Sequence, residues 1–182
     1  QVVESAAIVC ANDGETNVTG SATYLDIADL RVHAVSDINS ALRRVPGVYV
    51  RPEDGYGNFP NISLRGIDMG RSSKVTIMED GILAAPATFS APSAYYSPTL
   101  ERMSGLEVIK GSSQVKYGPH TTGGVINYLS TAIPDEVTTF SRAYYGEFDE
   151  LVTHIYHGGK KDTSSGTIAV SYTHLTLPTN RE

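Results

Sequence analysis

A chain of 182 residues, 40% apolar and 19% charged, has the composition of one folded domain with a short extension. Its formal net charge of −6, with no long run of Lys or Arg, excludes the clustered cations on which nucleic-acid binding rests. The single cysteine, Cys10, rules out an intrachain disulfide and a cysteine-based zinc site, and no apolar run approaches the roughly 18 residues of a membrane helix, so any membrane role falls to strands.

In chain order, residues 1 to 20 are polar and carry the turn signal Asn12-Asp13-Gly14, which predicts a mobile arm leading into a first strand, with the ordered domain starting near Ser21. A helix follows. Ser36 is its expected N-cap with Asp37 in the positive first turn, Ile38, Ala41, Leu42 and Val45 repeat at one helix face, and Pro46-Gly47 stops it. Short strand-forming runs come next at Val48 to Arg51, Ile62 to Arg65, Lys74 to Met78, Leu106 to Lys110 and Val125 to Ser130. Glu79-Asp80-Gly81 reads as a tight hairpin turn, because Asp-Gly favours the turns that match strand twist.

Two loops stand out. Pro52 to Pro60 (PEDGYGNFP) and Ala84 to Pro98 (AAPATFSAPSAYYSP) combine Gly or Pro with Tyr, Phe, Asn and Thr, the chemistry of an adaptable, partly aromatic contact surface. After Pro134 the texture changes to strand segments at Val137 to Tyr145, Leu151 to His157 and Thr167 onward, joined by polar turns. Ile168, Val170 and Tyr172 alternate with Thr167, Ala169 and Ser171, which suits a wall with one apolar and one wet face, whereas Arg142 and His154 interrupt the earlier segments.

Enzymatic chemistry finds no constellation here: the G-x-S-x-G elbow and the G-x-x-x-x-G-K-[ST] loop are both missing, so no catalytic residue is assigned. His154 and His157 project to opposite faces of a strand, which argues against a metal site. Glu53-Asp54 and Asp149-Glu150 read as turn solvation rather than as acid/base couples.

From Leu42 to Pro134 the chain resembles the plug of TonB-dependent receptors, on five segments in order: LRRVPGVYV, ISLRGID, VTIMEDGI, LERMSGLEVIKGSSQVKYGP and GGVINYLSTAIP. Within that family the YGP…GGVIN…AIP ending is most similar to the ferric-citrate type. The resemblance implies an α+β fold: a small mixed plug domain with short helices and a small β-sheet, followed by the first two or three antiparallel strands of a truncated transmembrane β-barrel of about 22 strands. The implied organisation is an arm at 1–20, a plug at 21–134, the start of the barrel at 135–169 and a non-native tail at 170–182. That tail is expected because Val170 to Thr179 (VSYTHLTLPT) resembles the in-frame translation of a sequencing-library adapter.

Function, by the same resemblance, is uptake of a ferric chelate, ferric citrate or a siderophore, across the outer membrane of a Gram-negative bacterium. TonB would pull on the plug, with ExbB and ExbD supplying energy from the inner membrane; the barrel would meet outer-membrane lipid. No cofactor is implied, since iron travels as part of the chelate. Candidate apex residues are Tyr56, Asn58, Phe59, Arg71, Thr88, Phe89 and Ser90. Arg65 and Lys110 match the family's basic residues that face acidic partners on the barrel wall, and Arg102 and Glu107 join them as candidates for this plug-to-barrel lock. Lys110 stands where an arginine is usual, and lysine cannot make the bidentate fork with a carboxylate. The family's TonB-contacting box has a loose counterpart in Val2 to Val9. Alternatives are a receptor for another siderophore or for cobalamin, and, from a different class, a soluble α/β binding or adhesion module.

Overall fold

The structure, a computed structural model, describes residues 10–11, 15–16, 20–33, 37–54, 57, 59–67, 70–85, 95–118, 121–146, 149–161 and 164–174. The expected arm and the TonB-box counterpart at Val2 to Val9 lie largely or wholly outside these residues. Two compact units divide the chain, Gln1–Ser130 and Thr131–Glu182.

The first unit opens with a short antiparallel pair, β1 (Cys10–Ala11) and β2 (Glu15–Thr16), then β3 (Ser21–Asp26), α1 (Ile27–His33) and α2 (Ile38–Leu42). A separate hairpin follows, β4 (Val48–Pro52) and β5 (Pro60–Leu64). The remaining strands are β6 (Val75–Glu79), β7 (Ile82–Ala85), β8 (Met103–Lys110) and β9 (Gly124–Ser130). Five of these form one mixed sheet in the order β3-β8-β9-β6-β7, antiparallel throughout except for the parallel pair of β6 and β9.

Helix α2 presents the anticipated face: Ile38, Ala41, Leu42 and Val45 are all buried, packed with Leu106, Val108, Ile126 and Tyr128 from one side of the sheet and Ile62 and Leu64 from the hairpin. Its start differs from the sequence expectation. Asp37, with extended backbone, is itself the N-cap, its side chain accepting from the Asn39 amide at 2.8 Å, so it precedes the first turn rather than occupying it. Ser36 lies outside the described residues. The other side of the sheet is buried too, with Met78, Ile109 and Val125 packed against Ala22 and Tyr117. Burial on both sides explains why β8 and β9 read as near-continuous apolar runs instead of alternating. At the β6–β7 turn both Asp80 and Gly81 have positive φ, 48° and 78°, the geometry that a two-residue hairpin of this hand requires.

The second unit is an antiparallel meander of β10 (Thr138–Tyr145), β11 (Leu151–Lys161) and β12 (Ser164–His174). Its register sorts the side chains. Phe140, Arg142, Tyr144, Val152, His154, Tyr156, Ala169 and Ser171 share one face, while Tyr145, Leu151, Ile155, Ile168, Val170 and Tyr172 share the other. Arg142 and His154 are thus cross-strand partners on one face, which they share with the buried Val152. The opposite face leaves Ile155 and Ile168 more than half exposed, as are Val170 and Tyr172, which fall in the tail expected to be non-native and so add nothing to a lipid-facing band.

Candidate functional site

The loop between β4 and β5 is closed by the Glu53 amide donating to the Phe59 carbonyl at 2.9 Å. Phe59 stays 49% exposed and meets Tyr95 edge-on, with ring centroids 5.6 Å apart and planes at 86°. Beside the rings, the Glu53 carboxylate accepts from the Asn61 amide at 2.9 Å and from the Tyr95 hydroxyl at 2.8 Å. The Asn61 side chain in turn accepts from the Arg71 backbone amide at 2.7 Å. Arg71 is brought here because the Ser72 hydroxyl clamps the start of β5, donating to the Pro60 carbonyl at 2.9 Å and accepting from the Ile62 amide at 2.8 Å. Glu53 is held below the usual carboxylate range, first by the Asn61 hydrogen bond, then by Tyr95, with the Arg71 and Arg51 guanidiniums adding to it.

Beneath this surface lies a buried polar network centred on Asn39. Its amide nitrogen donates to the Gly57 carbonyl at 3.2 Å and to the Ser97 hydroxyl at 2.9 Å, and its oxygen accepts from the Tyr128 hydroxyl at 2.7 Å. One side chain thereby ties the 53–59 loop and the segment after residue 94 to the central strand β9. Gly57, at φ +77°, packs so closely that an added Cβ would stand 2.2 Å from Asp37 Cγ; only glycine lets the loop close over that carboxylate. Burial pushes the Asp37 carboxyl up, against the lowering effect of its hydrogen bonds to Asn39.

Of the seven apex candidates, Phe59 and Arg71 fall in this cluster, and Tyr56, Asn58, Thr88, Phe89 and Ser90 lie outside the described residues. Glu53 was expected only to solvate a turn, and its carboxylate instead accepts from two side chains; Asn61 and Tyr95 were not among the site candidates. For Tyr95 the available signal was the Tyr95-Tyr96 pair, whose two hydroxyls serve two clusters: Tyr96 bonds to Glu79, which also receives both terminal nitrogens of Arg102.

That places Arg102 in an ion pair inside the first unit, where its hydrogen bond holds Glu79 below the usual range. Glu107 is fully buried in the sheet and accepts from Asn127 at 2.8 Å. Lys110 is also buried and donates to the Pro46 carbonyl at 2.8 Å; its ammonium is pushed down by burial and then by the nearby Arg65. Arg65 itself is exposed, at φ 55°. In the second unit His154 is buried against the Ser171 hydroxyl while His157 faces outward beside Thr139, and no cluster of metal-ligating side chains occurs among the described residues.

The family model described as TonB-dependent Receptor Plug Domain matches residues 15–125. Among solved structures, the ferric citrate transporter FecA in the unliganded form has a TM-score of 0.69 at 24% identity, covering 85% of this chain and 25% of that one. The pyoverdine outer membrane receptor FpvA from Pseudomonas aeruginosa PAO1 has a TM-score of 0.66 at 18% identity, covering 84% of this chain and 22% of that one. For the ferric yersiniabactin uptake receptor FyuA from Yersinia pestis the values are 0.59 and 21%, over 83% of this chain and 23% of that one. This chain therefore spans a quarter or less of the length of those receptors. Matched over more than half its length by the family model, the chain belongs to the plug-domain family of TonB-dependent receptors, outer-membrane receptors of Gram-negative bacteria.

Proposed function

We propose that the intact protein imports a ferric chelate across the outer membrane, with TonB drawing on the plug and with energy supplied through ExbB and ExbD. The observation that carries this reading is the plug fold over residues 15–125 bearing, on its loops, an aromatic and charged cluster that is exposed at Glu53, Phe59 and Arg71 and backed by Tyr95 and the buried Asn61. Ferric citrate, pyoverdine and ferric yersiniabactin, named for the structural neighbours, support a ferric chelate as the substrate class. Tyr56, Asn58, Thr88, Phe89 and Ser90, which lie outside the described residues, stay candidates for the same role by their loop chemistry, and barrel loops supply the rest.

The plug-to-barrel lock narrows to Arg65 and Lys110. Arg102 and Glu107 have side-chain partners within the unit, whereas Lys110 donates to a backbone carbonyl, that of Pro46, and its charge and that of the exposed Arg65 repel each other; an acidic group on the barrel wall would relieve that repulsion. The test of the transport reading is uptake of radiolabelled iron chelates by the intact receptor in a receptor-deficient strain, with and without TonB. Accumulation that requires both the receptor and TonB is the expected result; uptake of no ferric chelate, or uptake indifferent to TonB, would refute it.

A further inference from the structure

The loop face combines two features that bear on which chelate it takes. First, it is aromatic: Phe59 is about half exposed and held edge-on to Tyr95, whose hydroxyl is fixed by Glu53. The exposed half of Phe59 is then free to meet a third ring, at the 4.5–7 Å spacing typical of such contacts. Second, its formal charges balance. Among the described residues of this face, Glu53 and Asp54 stand with Arg51 and Arg71, two carboxylates to two guanidiniums, and Glu53 is kept ionised by its hydrogen bonds and by both arginines. A small polyanion needs converging cations that are not already neutralised, because a carboxylate opposite another carboxylate is repelled and both lose water on contact.

From this juxtaposition we infer that the loop face of the plug selects a ferric chelate that carries an aryl ring and little net charge, a phenolate type, over the ring-free polyanion ferric citrate. The inference rests on the reading of this face as the chelate site and specifies its ligand. The aryl ring stacks on or edges against Phe59, the Tyr95 ring supports Phe59 from the side, and the polar atoms around the iron take hydrogen bonds from the exposed Arg71 guanidinium, whose backbone the buried Asn61 holds in place. Phe59 is then a specificity-determining residue.

The experiment separates ring from charge. The intact receptor, in a strain lacking other chelate receptors, is offered labelled ferric citrate (no ring, polyanionic), a ferric trihydroxamate (no ring, near neutral), a ferric tris-catecholate (rings, polyanionic) and a ferric phenolate-oxazoline chelate (ring, low charge). The lowest half-saturation concentration is expected for the phenolate chelate. Phe59→Leu raises that value about two- to tenfold, the worth of one aromatic contact, and raises it more than the values for the two ring-free chelates. Phe59→Tyr, which keeps a ring, retains the parent value. Tightest uptake of ferric citrate, or equal shifts for all four chelates in Phe59→Leu, would overturn the inference while leaving the receptor reading intact. Uptake of none of the four would overturn both.

Discussion

Replacing Asn39 by Ala removes the one side chain that joins both loops to β9, and the structure sets the size of the loss. Three hydrogen bonds disappear, to Gly57, Ser97 and Tyr128, each with a net worth of about 0.5–1.5 kcal/mol, and the buried Tyr128 hydroxyl is left without its acceptor. The better helix propensity of Ala returns about 0.5 kcal/mol, so Asn39→Ala should cost roughly 2–4 kcal/mol. Tyr128→Phe removes the donor alone and should cost about 1–2 kcal/mol. Because the two changes delete the same bond, the double variant should fall short of the sum by about 1 kcal/mol or more. The assay is urea unfolding, followed by circular dichroism, of the isolated plug at residues 21–134, which contains every partner and is itself predicted to be soluble and folded. Additivity within about 0.5 kcal/mol, or an Asn39→Ala cost below about 1 kcal/mol, would refute the role given to this network.

Glu79 yields a pH prediction. Its folded-state value is depressed by Arg102, so the stability it contributes is present above the ordinary glutamate value of about 4.3 and is lost as pH falls through the folded value. Glu79→Gln should therefore weaken the isolated plug near neutrality by at most about 1 kcal/mol, since water screens the partly exposed pair, and should flatten the acid limb of its stability curve; an unchanged acid limb would count against the pair. In the intact receptor, Arg65→Ala should disturb plug seating more than Arg71→Ala, read as loss of hydrogen-exchange protection in the plug, and equal protection in both variants would sink the lock assignment. Expressed alone, the 182-residue chain should neither insert stably into an outer membrane nor accumulate a ferric chelate, because three strands leave open edges whose backbone groups lipid cannot satisfy. Removing residues 135 to 182 should improve its solubility, and TonB-dependent uptake by the short chain would contradict this.

What the sequence made legible is what local pattern encodes. The buried face of α2 follows from the spacing of Ile38, Ala41, Leu42 and Val45, and the β6–β7 hairpin from Asp80-Gly81. Helix α1 was missed because an exposed Val32 beside buried Leu30 spoils the amphipathic signal. Ser36 and Asp37 are both good capping residues, and only the hydrogen bond to Asn39 decides between them. Long-range pairings were beyond reach: Asn39 meets Tyr128 across 89 residues and Arg102 meets Glu79 across 23, and nothing in the intervening sequence marks either partner. Arg142 and His154 looked like breaks in two separate strands until the register put them side by side on one face.

The reading of this chain as the plug-bearing part of a barrel-enclosed receptor is tested most directly by sequencing the intact locus downstream of Ala169. The account predicts an open reading frame that continues through many segments of about ten residues with alternating apolar and polar positions, enough to close a barrel. A stop codon within a few codons of Ala169, or a downstream region lacking that alternation, would contradict it.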